Sequence, residues 1–579
     1  MINPQLPERL LSDRRLLWGA MLLLPVAGGL LLSAGTPHLG LGFVWPFIFV
    51  PLLLGLDLAL RTAPPSGEEK GEARRARWKG WGRVLLVCWA AGATFAVITG
   101  GWVTNTSHVY GHLPWPLAFG VTLLGYGTLQ GLETFLLLGV PFALTWRRPL
   151  TSALFTTLWV TVLQLYLPRF LFWTYGQLMY PLAELVQFAG VLGSGGLNLL
   201  YLPLQFWLYG WLRARIAPGE IHPRLLRHGG AGLAVLFVAA YAYGAWNISR
   251  VDDLRKAEFS NPASNQGAAD GDMRMVTVVG IQPNFTLGHL ASNPALSHSV
   301  RHRNLRALLD DSSAALAGVE RRPGVPVVVL WPESVYPRPY FYAPEMRQAV
   351  EQWVREQGVQ LVLATSDLAA DRLPDGRVER RYYGAAVHVD EHGAARETYH
   401  KITLIPFGEY IPLAEAFPAF RNLLVRMIPQ ISEFTPGRDY TTFAIGAVTH
   451  LAPLICFDAS VENVARGMAR AGARIGVVLA NLAWFGKTSV SDQLAIYASF
   501  RAIENDMPLV FLSQNGESML IDPAGRQHSP RTGQFEPGAV VADIRTTLGP
   551  SFYSRHGHLI SLAFALALLA SLAVVIRKK

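Results

Sequence analysis

The chain has 579 residues, 51% apolar and only 16% charged, with a formal net charge of +9. That balance excludes a soluble globular protein of this length and points to the membrane. Two cysteines exclude a disulfide framework and a multi-cysteine metal site.

Seven apolar stretches precede residue 250: Leu16–Ala34, Leu39–Leu60, Val84–Val103, Leu117–Leu144, Leu150–Leu167, Leu192–Leu212 and Ala231–Trp246. An eighth, His558–Ile576, runs to the C-terminal Arg577-Lys578-Lys579. Each is close to the roughly 20 residues a helix needs to cross the hydrocarbon. The first follows Arg14-Arg15 but exceeds a signal core in length, so it is read as a retained anchor. Basic residues crowd alternate loops: Arg61, Lys70, Arg74, Arg75, Arg77, Lys79 and Arg83, then Arg147 and Arg148, then Arg213, Arg215, Arg224 and Arg227. The intervening short loops hold only Arg169. This asymmetry predicts cytoplasmic N- and C-termini and places the 300 or so residues between spans seven and eight outside. It also accounts for much of the positive charge without nucleic acid. Of the carboxylates within spans, Asp57 reads as paired or wet, and Glu133 stays open between a paired and a functional role.

The expected organisation is residues 1–250 as a seven-span domain, 251–273 as a linker, 274–545 as a catalytic domain and 546–579 as the last span with its basic tail. In the third part short β-rich runs alternate with helical ones. Strands are expected at Met275–Ile281, Val327–Trp331, Val359–Ala364, Tyr383–Val389, Leu451–Cys456, Ile475–Ala480, Pro508–Ser513, Met519–Asp522 and Val540–Ile544. Helices are expected at Val300–Ala317, Pro344–Gln357, Val461–Ala471 and Ser491–Asn505. Alternation of this kind argues an α/β domain.

Chemistry-bearing residues cluster where these strands end. Glu333 follows Val327–Trp331, Lys401 follows Tyr399-His400, and Cys456 ends the strand before Phe457-Asp458. A thiol entering a helix is expected to have a lowered pKa. A glutamate can take its proton, and a fixed lysine can stabilise the thiolate and an oxyanion. Tyr410–Phe434 is apolar and irregular, with Phe417, Phe420, Leu423, Leu424, Met427 and Ile428. It reads as a lid dipping into a lipid leaflet, the alternative being core packing. Cys88 lies in an apolar run and reads as structural. No metal-ligand spacing and no cofactor motif is present.

Glu, Lys and Cys in this chain order resemble the nitrilase superfamily. The flanks Trp331-Pro332-Glu333-Ser334, Lys401 to Pro412 (through Pro406-Phe407-Gly408-Glu409-Tyr410) and Ile455-Cys456-Phe457-Asp458 look more narrowly like the apolipoprotein N-acyltransferases. Asn481-Leu482-Ala483-Trp484-Phe485-Gly486 and Phe500-Arg501-Ala502-Ile503-Glu504 add to the likeness. The resemblance implies a bundle of about eight spans carrying an extracytoplasmic nitrilase-like α-β-β-α sandwich in a bacterial inner membrane. It implies Glu333 as base, Lys401 as stabiliser, Cys456 as nucleophile and Glu409 as the residue orienting Lys401 or the amine. Phe457, Asp458, Tyr410, Asn481, Trp484 and Phe420 are implied as supporting residues. The implied reaction carries an acyl chain from a phospholipid, through a Cys456 thioester, to the α-amine of a diacylglyceryl-cysteine lipoprotein. No cofactor and no nucleic acid takes part, and a monomer is expected. A membrane-tethered amidase, a weakly active lipid- or lipoprotein-binding paralogue and a channel or transporter are the competing readings. The chain departs from the family pattern at Phe457 and Asp458 (usually Tyr and Glu), Leu482 (Asp), Leu494 (His) and Gln514 (Asn).

Overall fold

A computed structural model describes residues 14–37, 39–61, 70–167, 173–260, 274–285, 294–336, 338–372, 378–427, 433–547 and 549–577. It divides into two compact units, residues 1–245 with 556–579, and 246–555.

The first unit is helical. Its main helices are α1 (Arg14–Ala34), α2 (Val50–Arg61), α3 (Lys70–Thr99), α4 (a helical run from Trp115 to Thr145), α5 (Pro149–Tyr166), α6 (Asn198–Ile216), α7 (Pro223–Ser260) and the C-terminal α8 (Phe552–Arg577). Among the described residues six helices are long and apolar enough to cross a membrane: Arg15–Ala34, Gly42–Arg61, Trp78–Thr99, Trp115–Thr145, Pro223–Lys256 and Phe552–Arg577. The fifth and sixth expected runs fall short of that apolarity, for a structural reason. Their helices turn polar side chains inward to satisfy irregular backbone. Gln164 on α5 accepts from Tyr175 N–H at 3.2 Å and from Asn198 Nδ2 at 2.9 Å. Asn198 Oδ1 accepts from Gly176 N–H at 2.8 Å, and Gln205 accepts from Phe49 N–H at 3.0 Å. The expected Leu192–Leu212 run is also broken at Gly193, whose φ of 78° interrupts the helix before α6 begins.

Asp57 is paired, as its position suggested. It takes Arg61 Nε at 3.0 Å and Arg213 Nε at 3.6 Å, while Arg213 reaches Glu220 at 2.9 Å. Glu133 accepts from Gln130 Nε2 at 3.4 Å on its own helix. Helices α3 and α4 touch backbone to backbone. A Cβ on Gly131 would lie 2.7 Å from Trp89 Cα, and one on Gly92 would lie 2.3 Å from Gly131 N. Gly127 and Gly131 thus form the small-xxx-small seam of a close membrane helix pair.

The second unit starts within α7, which continues to Ser260, well into the stretch read as a linker. Two six-stranded sheets follow. Sheet one has the order β12-β1-β2-β3-β4-β5, with β1 Met275–Gln282, β2 Val327–Trp331, β3 Gln360–Arg372, β4 Val378–Val389, β5 Ala395–His400 and β12 Gly538–Arg545. Sheet two has the order β11-β10-β9-β8-β7-β6, with β6 Phe443–Ile445, β7 Thr449–Ile455, β8 Ile475–Ala480, β9 Leu509–Ser513, β10 Met519–Ile521 and β11 Gln527–His528. The central strands β1-β2-β3 and β7-β8-β9 run parallel. They are buried nearly throughout, except that β3 is buried only from Gln360 to Thr365, and their buried parts are what reads as apolar runs. Helices at Pro294–Ala317 and Pro344–Gln357 cover sheet one: Leu308, Val350 and Trp353 pack with Val329, Trp331 and Leu361. Helices at Glu462–Arg470 and Val490–Asn505 cover sheet two. The sheets meet face to face, close enough that a Cβ on Gly280 would lie 3.0 Å from Leu512 Cδ1. The result is the α-β-β-α sandwich expected.

Gly131→Ala is expected to lower stability by about 1–3 kcal/mol through overpacking against Trp89. Gly120→Ala, in open space on the same helical run, is expected to be neutral or slightly stabilising. Thermal unfolding of the two variants in detergent compares them directly.

Candidate active site

Lys401 is the buried centre. The last residue of β5 precedes it, and its own backbone is fixed on both sides: its N–H donates to Gly384 C=O at 2.8 Å and its C=O accepts from Gly437 N–H at 2.7 Å. Any Cβ on Gly437 would lie 2.1 Å from His400 O, so only glycine lets that segment close over the lysine. The Lys401 side chain is fully buried, and its ammonium donates to Glu409 Oε1 at 2.6 Å and to Glu333 Oε1 at 3.3 Å. Burial alone would lower its pKa; Glu333 and Glu409 outweigh that and hold it well above its ordinary value.

Glu409 arrives on a tight loop. Phe407 N–H donates to Tyr410 C=O at 2.7 Å, with Phe407 in a left-handed conformation (φ 62°). The second oxygen of Glu409 accepts from Ile405 N–H at 2.9 Å. Glu333 stands two residues beyond β2, followed by Ser334 at φ 66°. Its other oxygen accepts from Asn481 N–H at 3.1 Å. Burial pushes the Glu333 carboxyl up; Lys401 pulls it down and Glu409 pushes it up further, with a net rise. Glu333 therefore holds a proton more readily than an ordinary glutamate.

Cys456 follows β7 directly with φ 48°, a conformation that costs energy for a side chain with a Cβ and that marks functional turns. It is 2% exposed. The Asn481 N–H bonded to Glu333 also interacts with the Cys456 sulfur and lowers its pKa somewhat. The expectation of a lowered thiol pKa is nevertheless overturned. Burial pushes the thiol well above its ordinary value, Glu333 adds to the rise, and Lys401 opposes it. The helix that was to lower it is one 3-10 turn, Cys456–Ser460; the α-helix starts only at Glu462. These surroundings favour the thiol over the thiolate at Cys456.

Asp458 ties these pieces together. It is fully buried and accepts from Thr403 N–H at 2.7 Å, Tyr399 Oη at 2.8 Å and Ile455 N–H at 3.1 Å. One carboxylate thus joins the loop after Lys401 to the turn that carries Cys456. Burial pushes its pKa up to about 6 against the pull of Lys401 and these donors. Sequence reasoning gave Tyr399 no role; its only signal was a tyrosine two residues before the lysine. His400, stacked on Tyr383 at 4.1 Å and bonded to Asp367 at 2.9 Å, braces the same strand end.

The remaining candidates lie around this core. Asn481 is buried at the end of β8, and Trp484 is half-buried on the turn Ala483–Phe485. Phe457 is buried beside the cysteine, and Tyr410 is about one-third exposed on the Glu409 loop. The side chain of Phe420 lies outside the described residues, as does Ile428. The segment expected to be irregular holds a helix, Pro418–Met427. Among the described residues no cluster of metal-ligating side chains is present.

Residues 298–550 match the carbon-nitrogen hydrolase family model. Over nearly its whole length the chain is similar to apolipoprotein N-acyltransferases. It is 26% identical to that of Geobacter metallireducens (96% of this chain, 94% of the other) and 29% identical to that of Azotobacter vinelandii (93% and 92%). With the Pseudomonas aeruginosa protein the figures are 28% identity, 93% and 92%. This chain is a homologue of the apolipoprotein N-acyltransferases. Among solved structures, the amidase from Nesterenkonia sp. AN1, of the nitrilase superfamily, aligns at 20% identity over 48% of this chain and 93% of its own, with a TM-score of 0.32.

If the Asp458 carboxylate positions this homologue's site, its protonation should loosen it. As pH falls through about 6 the ionised form is lost and one of three acceptor bonds goes with it, so acylation of Cys456 should slow on the acid side. An acid limb from Glu333, if it is the base, is separated by Asp458→Asn: that variant should be slower by about 10- to 100-fold and lack the Asp458 component. Single-turnover acylation against pH reads both.

Proposed function

We propose that this protein is an N-acyltransferase that moves a fatty acyl chain from a membrane phospholipid to the α-amine of a diacylglyceryl-cysteine lipoprotein. The observation that carries the reading is the pairing of the buried Lys401 ammonium with Glu333 and Glu409 near Cys456, in a chain that matches acyltransferase relatives over nearly its whole length. Glu333 takes the proton from Cys456 Sγ. The thiolate attacks the ester carbonyl of the phospholipid, and the Lys401 ammonium with backbone N–H groups holds the oxyanion. The C–O bond breaks, Glu333 returns the proton to the departing alkoxide, and a lysophospholipid leaves a thioester on Cys456. In the second half the acceptor amine attacks the thioester carbonyl. A C–N bond forms, the C–S bond breaks, and Glu333 relays the amine proton to the sulfur. A covalent nucleophile divides one difficult transfer into two. The raised pKa of Glu333 suits a group that takes and returns a proton in each half.

The donor is a membrane lipid on this reading, and the apolar stretch after Glu409 supports it. Leu413 is 69% exposed, Phe417 58% and Leu423 54%, more apolar surface than a water-facing loop ordinarily shows. It serves as a lid that enters a lipid leaflet. The charge pattern of the loops supports a catalytic unit outside the cytoplasm with both termini inside, and the likeness to the bacterial acyltransferases supports an inner-membrane location. The chain is proposed to act as a monomer, with residues 274–545 as its catalytic domain.

Purified protein mixed with phospholipid vesicles should gain the mass of one acyl chain. Cys456→Ala should gain none, and Cys88→Ser should behave as the parent. A diacylglyceryl-cysteine peptide should discharge the adduct much faster than water does. Discharge by water at the same rate identifies a hydrolase instead, and no adduct from any lipid identifies a binding protein.

Leu423→Asp should slow acylation from vesicles by about tenfold or more, because a charge opposes insertion of the lid. Its alkylation by a small soluble electrophile should stay near the parental rate. Equal losses in both assays would mean that the segment packs on the catalytic unit itself.

A further inference from the structure

The strand ends that carry Cys456 and Glu333 also hold buried polar groups that the acylation step does not use. Asn481, Gln514 and Asn515 are 2%, 1% and 2% exposed. Strand register locates them. Ile455 on β7 pairs with Leu479 on β8, and Ala480 pairs with Ser513 on β9. Cys456, Asn481 and Gln514 thus leave three adjacent parallel strands at the same end. With strands about 4.8 Å apart, the backbone of Gln514 stands roughly 10 Å across the sheet from that of the cysteine.

Each of these amides is held at one end. Asn481 Oδ1 accepts from Ala483 N–H at 3.1 Å, which leaves Nδ2 as a buried donor with no hydrogen-bond partner among the described residues. Gln514 Nε2 donates to Phe285 C=O at 3.0 Å. Asn515 Nδ2 donates to Asn284 Oδ1 at 2.7 Å and to Phe285 C=O at 3.3 Å. Asn284 Nδ2 in turn donates to Phe535 C=O at 2.7 Å, so the chain of amides has a single consistent orientation. Two oxygens remain, Gln514 Oε1 and Asn515 Oδ1, both buried and without a hydrogen-bond partner among the described residues. Buried polar atoms are nearly always satisfied in folded proteins, so a group of three unsatisfied ones at a reactive strand end fits a ligand that satisfies them.

We propose that Gln514 and Asn515, with Asn481 Nδ2, form a subsite for the peptide of the acceptor. The inference rests on the acyltransferase reading above. Two carbonyl oxygens receive N–H groups, and one amide donor receives a carbonyl, which is the complement of a peptide link. The same oxygens repel a phosphate, so the subsite does not suit the glycerophosphate of the donor. An ethanolamine headgroup also bears N–H and is the other source of matching chemistry. Gln514 is one of the positions where the chain departs from the family pattern, so the subsite bears on which acceptors this protein prefers.

The test loads parent and Gln514→Met with an acyl chain from phosphatidylglycerol vesicles, whose headgroup has no N–H. It then follows discharge by a diacylglyceryl-cysteine peptide, and by an analogue with an ester in place of the first peptide link. Gln514→Met should need about tenfold more peptide for half-maximal discharge, with loading changed far less. Toward the ester analogue the two proteins should differ little. Equal discharge of both proteins by the peptide overturns the proposal. Slower loading from phosphatidylethanolamine alone assigns the subsite to the donor headgroup instead, and slower loading from both lipids makes Gln514 a structural residue. Failure of the parent to acquire any acyl chain removes the acyltransferase reading, and the subsite with it.

Discussion

A lysine ammonium with no exposure is the constraint on which the catalytic unit depends. Removing such a charge from water is costly unless partners surround it, and an unpaired one would lose its proton instead. Here two carboxylates hold the ammonium, and two backbone bonds fix the main chain that carries it. The carboxylates are not equivalent. Glu409 sits at 2.6 Å and is held by Ile405 N–H, whereas Glu333 sits at 3.3 Å and shares the Asn481 N–H that also interacts with the sulfur. On the proposed chemistry this divides the labour: Glu409 fixes the cation, and Glu333, less satisfied and pushed up by burial, carries protons. Burial above all, with Glu333 and Glu409 beside it, pushes the Cys456 thiol toward its protonated form against the pull of the Lys401 ammonium. On the proposed chemistry the thiol proton leaves only when a base accepts it with an electrophile at hand, which protects the buried thiol from idle reaction.

Geometry of this kind needs the elements bearing Lys401 and Cys456 to hold a common frame. They come from different sheets, β5 in one and β7 in the other. Asp458 supplies the connection, with donors from Tyr399 and Thr403 on one side and Ile455 on the other. A shorter acid than the usual glutamate suffices because the Tyr399 hydroxyl meets it, and that hydroxyl also accepts from Ile402 N–H at 3.3 Å. The departure at position 458 is thus built into a closed network rather than left as a gap.

Much of this was readable because buried parallel strands declare themselves. Val327–Trp331 and Ile475–Ala480 are continuous apolar runs with the bounds expected of them. Strands β5, β6 and β11 escaped notice for the opposite reason. Ala395–His400 is an edge strand with Arg396, Glu397 and Thr398 half-exposed or exposed, β6 has three residues and β11 two. The helix at Pro418–Met427 was hidden among prolines and aromatic residues that read as irregular chain. The partnership of Tyr399 with Asp458 spans 59 residues and has no local pattern. In the helical unit, hydropathy located six apolar helices but not the reason why the fifth and sixth expected runs fall short of that apolarity. Gln164, Asn198 and Gln205 serve backbone groups of neighbouring segments, which a window of one segment cannot show.

The positions where the chain departs from its relatives' pattern bear on how a thioester would meet amine rather than water. Leu482 and Leu494, where the resemblance implies Asp and His, are 3% and 2% exposed. Leu482 fills the space over Gly516, where a Cβ would lie 2.8 Å from its Cδ1. A water molecule needs two or more polar partners to stay in a buried site, and an apolar wall offers none. Leucines at these two buried positions therefore lower the number of polar groups that could hold water in this part of the unit. The cost falls on any step that used those polar groups to orient substrate. The amides of Asn481, Gln514 and Asn515, at the same strand ends, provide directed hydrogen-bonding groups without adding charge. A dry wall with a few directed amides favours a slow-hydrolysing acyl-enzyme whose discharge waits for an amine.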